Sequence, residues 1–238
     1  MHVTVDVWAI DLARAATPSA AECDLLSNVE RDRLARYLAP EPARIFATTR
    51  IALRRLLAAW LVIPAAAIRF ETGPHGKPAV AGDPSVNFSV SHTSRSALIA
   101  CCSAAPVGID IEECAVGEFD GLAETICAPR ERSWILSEGQ DRHASITRLW
   151  TRKEAVLKSC GLGLSRGMQS LDLGALDASS GTCMVDGIGR IAWRDLNMPV
   201  FAAVAVFDDR VSSVGIRFRS HDMAREGAAG ADPLHREY

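Results

Sequence analysis

The chain has 238 residues, 48% of them hydrophobic and 23% charged, with a formal net charge of -3. That length buries a core as one large domain or as two of roughly 100 residues, and the charge offers no electrostatic footprint for nucleic acid. Ile51 to Ile63 is the most apolar stretch, but Arg54 and Arg55 interrupt it, so no run reaches the roughly 20 residues of a membrane span. The opening residues lack the basic-then-apolar order of a secretory signal, which makes the cytoplasm the expected compartment. Seven irregularly spaced cysteines read as reduced small hydrophobes and not as a zinc site.

In chain order, Val3, Val5 and Val7 alternate with polar or small residues and predict a half-buried strand. Ser19 to Leu38 carries helical periodicity in short pieces. Glu41 to Leu61 is the first long helix, with Ile45, Ile51, Leu53, Leu56, Leu57 and Trp60 as its apolar stripe and Pro64 beyond its end. A strand over Ile68 to Glu71, a turn at 73–76 and strands near Ser85 to Ser91, Ala97 to Cys102 and Val107 to Glu112 follow. Pro129 opens a helix through Leu136. A longer one runs from about Arg142 to Cys160 and stops at Gly161 and Gly163. Strands are expected near Leu171, Cys183, Ile191, Val200 to Phe207 and Val214 to Phe218.

Each half therefore reads as helices followed by a mostly antiparallel sheet, an α+β arrangement of two subdomains with a ligand cleft between them. The boundary is set at residues 1–108 and 109–219. Residues 220–238, rich in Gly, Ala, Arg and Glu without periodicity, are expected to be a disordered tail.

Three features carry chemistry. In Val107-Gly108-Ile109-Asp110-Ile111-Glu112, strand alternation puts Asp110 and Glu112 on one face and Ile109 and Ile111 on the other. Two such carboxylates repel unless a cation or proton lies between them, and hard oxygen ligands suit Mg²⁺; the alternative is a solvated strand face. In Trp150-Thr151-Arg152-Lys153-Glu154-Ala155-Val156-Leu157-Lys158, Glu154 and Lys158 are i, i+4 neighbours one turn beyond Trp150. That pair is either a surface ion pair or the border of a cleft. Lys77, in Gly76-Lys77-Pro78, and Ser91-His92 at a strand end offer an ammonium, a hydroxyl and an imidazole to an anion, or else are ordinary hydrogen-bonding residues. Only three of the 26 basic residues are lysines, Lys77, Lys153 and Lys158, and all three fall in these motifs.

Taken in order, the GKP turn, the N-F-S-V-S-H strand, G-I-D-I-E and W-T-x-K-E-A-x-x-K resemble the 4′-phosphopantetheinyl transferases of the larger, pseudo-dimeric surfactin type. The resemblance covers roughly Leu26 to Leu173, and Gly161-Leu162-Gly163-Leu164 is similar to the family's continuation of the last motif. It implies two subdomains in a pseudo-twofold relation, with coenzyme A between them: its adenine and 3′-phosphate on the N-terminal side, the metal and catalytic residues on the C-terminal side. It implies Mg²⁺, with Mn²⁺ as a substitute, on Asp110, Glu112 and Glu154. It implies Glu154 as the base for a carrier-protein serine and Lys158 beside the leaving phosphate. Lys77, Pro78, Ser91 and His92 match positions that hold the 3′-phosphate and adenine end, Arg50 and Arg54 are further phosphate contacts, and Arg33 is a weaker one.

The implied partners are coenzyme A and an apo acyl or peptidyl carrier protein, with no nucleic acid or membrane, and a chain holding both subdomains is expected to be a monomer. Two other readings use the same residues: a metal-dependent phosphohydrolase acting on coenzyme A or a nucleotide, and a catalytically silent coenzyme A-binding module. Glu30 stands where the family often has a basic residue.

Overall fold

In the computed structural model, which describes residues 1–73, 75–113, 120–137, 141–163, 167–174 and 176–219, helices flank two four-stranded sheets. Short helices α1 (Ala20–Cys23) and α2 (Asn28–Ala35) each open on a serine cap. Ser27 Oγ accepts from Glu30 N while the Glu30 carboxylate accepts from Ser27 N at 2.8 Å. The long helix α3 (Pro40–Leu61) starts on a proline, whose missing N–H would be unpaired there anyway.

The first sheet has the order β10 (Ser213–Arg219), β1 (His2–Asp11), β5 (Ser96–Cys102), β4 (Asn87–His92). β2 (Phe70–Thr72) and β3 (Pro78–Val80) form a separate hairpin around the 73–77 turn. The second sheet is antiparallel throughout, in the order β6 (Val107–Glu112), β9 (Phe201–Phe207), β8 (Gly189–Asp195), β7 (Ser180–Val185). Ahead of and against it lie α4 (Asp120–Ile126), α5 (Pro129–Ile135) and α6 (Arg142–Cys160).

Strand alternation sorts the residues into layers. On β5, Leu98, Ala100 and Cys102 join Val107, Ile109 and Ile111 of β6 and Ala202, Val204 and Val206 of β9 in the core shared by the two sheets. The opposite set on β5, Ala97, Ile99 and Cys101, packs under α3 with Leu53, Leu56 and Leu57. Ala203 and Ala205 of β9 pack under α6 with Leu149, Val156 and Leu157. The small side chains on β9 let α6 lie close, and Gly108 lets it lie closer still on β6. A Cβ there would stand 2.0 Å from Ala155 O and 2.4 Å from Ser159 N.

Several sequence expectations change. β10 does not stay with the C-terminal half: it pairs in parallel with β1, Val3 opposite Val214 and Val5 opposite Ile216, so the first sheet draws on both ends of the described chain. No strand forms at Leu171; Met168–Ser170 is a 3₁₀ turn instead. α4 and β3 were not foreseen. Among the described residues no cysteine forms a disulfide. Among the described residues no helix is long and apolar enough to cross a membrane. Leu164 and the stretch 220–238 lie outside the described residues.

Candidate active site

β6 delivers Asp110 and Glu112 to the face that meets α6, because Ile109 and Ile111 turn into the inter-sheet core. α6 is capped by Asp141, whose carboxylate accepts from Ala144 N at 3.1 Å, and ends on Gly161 in the left-handed conformation (φ 69). Two buried basic residues fix its register. Lys153 Nζ donates to Ile126 O at 2.8 Å, to Met168 O at 2.9 Å and to Glu131 at 2.5 Å, a pair entirely removed from solvent. Arg152 forks onto Asp195 at 2.8 and 2.6 Å, donates to Leu176 O and Ala178 O, and stacks on Trp193. With α6 anchored on both sides, Trp150, Glu154 and Lys158 line one stripe.

Lys158 Nζ lies 2.5 Å from Asp110 Oδ1, and Ser91 Oγ of β4 donates to the same oxygen at 2.7 Å. Trp150 Nε1 donates to Glu112 Oε1 at 3.1 Å. Two carboxylate oxygens here, Asp110 Oδ2 and Glu154 Oε1, are buried without a hydrogen-bond partner, as is Oε1 of Glu113, which follows β6. Burial raises the pKa of Asp110, Glu112 and Glu154; Asp110 adds to the rise at Glu112, whereas at Asp110 itself Lys158 and Ser91 oppose it. Glu154 is pushed up to about 7, first by desolvation, with Lys158 opposing and Asp110 and Glu112 reinforcing. Buried carboxylate oxygens without a partner fit a hard divalent cation. Among the described residues no group of three His, Cys, Asp or Glu side chains is already drawn together as a metal site.

The structure sorts the remaining candidates. Ser91 reaches the acids, and His92 follows it, exposed, at the strand end. Pro78 opens β3, half-buried. Lys77 does not present its ammonium outward: Nζ donates to Val107 O at 2.9 Å and approaches Ser159 O at 3.5 Å, and burial lowers its pKa to about 8. It braces the start of β6 against the end of α6.

Arg54 is corrected outright. It is 0% exposed, and its guanidinium is turned inward, onto Glu30 at 2.7 Å and the carbonyls of Ala65 and Ile68, out of reach of a substrate phosphate. Arg50 lies between the Phe46 and Phe70 rings, 3.4 Å from Glu30, with the exposed Arg33 over the other reach of Phe46. Glu30 is thus the counter-charge of an arginine cluster, which explains an acid at that position.

The residues that sequence reasoning missed are Glu131, Ser89 and Glu113. Glu131 sits three residues after Ala128 at a helix start and accepts from Ala128 N at 2.7 Å, a spacing that could have flagged it as a cap. No local signal marks it as the partner of Lys153.

An α+β protein in which Asp110 and Glu112 of β6 face Glu154 and Lys158 of α6 offers a site for polyanionic substrate chemistry. Residues 106–202 match the 4′-phosphopantetheinyl transferase superfamily, and residues 17–104 match the 4′-phosphopantetheinyl transferase N-terminal family. The chain is 31% identical over 171 residues to the 4′-phosphopantetheinyl transferase HetI of Nostoc, covering 68% of this chain and 70% of that one. It is 36% identical over 122 residues to 4′-phosphopantetheinyl transferase psf-1 of Bacillus pumilus, covering 50% and 51%. To the mouse L-aminoadipate-semialdehyde dehydrogenase-phosphopantetheinyl transferase it is 29% identical over 218 residues, covering 79% and 71%. The chain belongs to the 4′-phosphopantetheinyl transferase superfamily. The aligned regions span from about half to seven-tenths of these relatives' own length.

Proposed function

We propose that the chain transfers the 4′-phosphopantetheine arm of coenzyme A to a serine of an apo acyl or peptidyl carrier protein, releasing adenosine 3′,5′-bisphosphate. The observation that carries this reading is the convergence of Glu154 and Lys158 of α6 on Asp110 of β6 within a chain of this superfamily.

Asp110, Glu112 and Glu154 would hold a magnesium ion, or manganese in its place, which when bound neutralises the diphosphate of coenzyme A. The protein's own groups do the rest. Glu154 removes the proton of the carrier serine and holds it on its carboxylate. A carboxylate positioned beside the serine hydroxyl is suited to take that proton and later release it. Lys158 faces the charge that grows on the leaving phosphate as the P–O bond breaks. Trp150 keeps Glu112 turned inward. Arg50, half-buried between two rings, with exposed Arg33 and His92, offers cations to the 3′-phosphate and adenine end. We assign the chain to the cytoplasm as a monomer, and light scattering tests the second point.

The test is the appearance of adenosine 3′,5′-bisphosphate by chromatography. Release that requires an apo-carrier supports the transfer. Release at equal rate without any acceptor makes the chain a hydrolase.

A further inference from the structure

β4 and β6 are edge strands of different sheets, and no backbone ladder joins them. Two serines of β4 join them instead. Ser89 and Ser91, two residues apart, share one face of the strand. Ser89 Oγ accepts from Ile109 N at 3.1 Å, supplying the partner that an edge N–H otherwise lacks. Ser91 Oγ then spends its only proton on Asp110 Oδ1 at 2.7 Å, while its lone pair accepts from Lys158 Nζ at 3.2 Å. Oδ1 therefore takes two donors, from Ser91 and Lys158. Oδ2 of the same carboxylate, buried, takes none. A carboxylate free to rotate would share its donors between both oxygens.

We propose that Ser91 is a positioning residue, which with Lys158 holds Asp110 by one oxygen so that the other is presented to the metal. The inference rests on the reading of the three acids as the cation site. It departs from the expectation that Ser91 touches the 3′-phosphate, because its single donor proton is already committed to Asp110. Groups that orient a metal ligand from behind change metal affinity by about 10- to 100-fold when removed.

The experiment titrates Mn²⁺ onto nucleotide-free enzyme, following free Mn²⁺ by electron paramagnetic resonance, for the wild type, Ser91→Ala and Ser91→Thr. Ser91→Ala is expected to bind Mn²⁺ about 10- to 100-fold more weakly, and Ser91→Thr, which keeps the hydroxyl on a strand that tolerates branching, to restore most of it. Ser91→Cys, near in shape but a weak donor, serves if the alanine variant unfolds, and is expected to lose affinity likewise. A second titration, in EDTA, compares coenzyme A with dephospho-coenzyme A, which lacks the 3′-phosphate. The proposal expects Ser91→Ala to leave the ratio of the two affinities unchanged.

Wild-type Mn²⁺ affinity in both Ser91→Ala and Ser91→Cys overturns the proposal. So does a loss confined to coenzyme A with dephospho-coenzyme A unaffected, which would put Ser91 on the 3′-phosphate. If wild-type enzyme binds Mn²⁺ but modifies no carrier, the transferase reading fails while the role of Ser91 toward Asp110 stands or falls on its own titration.

Discussion

Lys158 on α6 and Asp110 on β6 meet at 2.5 Å, with the carboxylate buried and the lysine side chain still 29% exposed. The contact holds the acid with a charged bond while leaving the ammonium a solvent-side reach toward a bound phosphate. Lys158→Ala is expected to lower kcat by about 10²- to 10³-fold, the scale of losing one charge-stabilising donor. Coenzyme A binding should change far less. Single-turnover transfer beside equilibrium binding checks this; equal losses in both would make Lys158 a binding residue only.

The acids predict how metal and pH interact. In the folded chain Glu154 titrates at about 7 against an ordinary 4.5, and Asp110 and Glu112 are raised too. A raised carboxyl stabilises the fold fully below its unfolded pKa, and that contribution is lost as pH rises through the folded one. Without metal, the share of stability from Glu154 therefore declines between about pH 4.5 and 7. A cation reverses the repulsion among ionised acids. Magnesium should raise the melting temperature more at pH 8 than at pH 5.5, as thermal unfolding in EDTA and in excess Mg²⁺ would show.

Glu154→Gln keeps shape and removes the base. It is expected to slow transfer by about tenfold to a thousandfold with coenzyme A affinity largely intact. Transfer at the normal rate would take the base role from Glu154.

Gly108 is a packing prediction. An added methyl would meet the backbone of α6 at Ala155 O and Ser159 N, atoms that no rotamer change can move aside. Gly108→Ala should cost about 1–3 kcal/mol or more in urea unfolding and lower activity by pushing Glu154 and Lys158 away from Asp110. Lys153→Met, which strands Glu131 in a dry interior, should cost about 3–5 kcal/mol.

Much of this was readable from residue order. Alternation in 107–112 put Asp110 and Glu112 on one face, and the i, i+4 spacing put Glu154 beside Lys158, because both rules act within a few residues. What escaped was set by distant partners. Arg54 looked like a phosphate ligand until Glu30, 24 residues earlier, took its charge. Lys77 looked outward from a turn, yet carbonyls 30 and 82 residues away receive it. β10 reads as any edge strand, and its parallel pairing with β1 closes across more than 200 residues, beyond the reach of local pattern. Leu171 is apolar like a strand residue because it fills the core under α6; its backbone is extended, but it belongs to no sheet.

The most direct measurement is intact-mass spectrometry of a purified apo carrier protein incubated with the chain and coenzyme A, with Mg²⁺ and then with EDTA. A gain of one phosphopantetheine, present only with metal and absent on a Ser→Ala carrier, is the predicted result. No gain on acyl and peptidyl carriers alike, with coenzyme A either consumed or merely bound, would contradict the account.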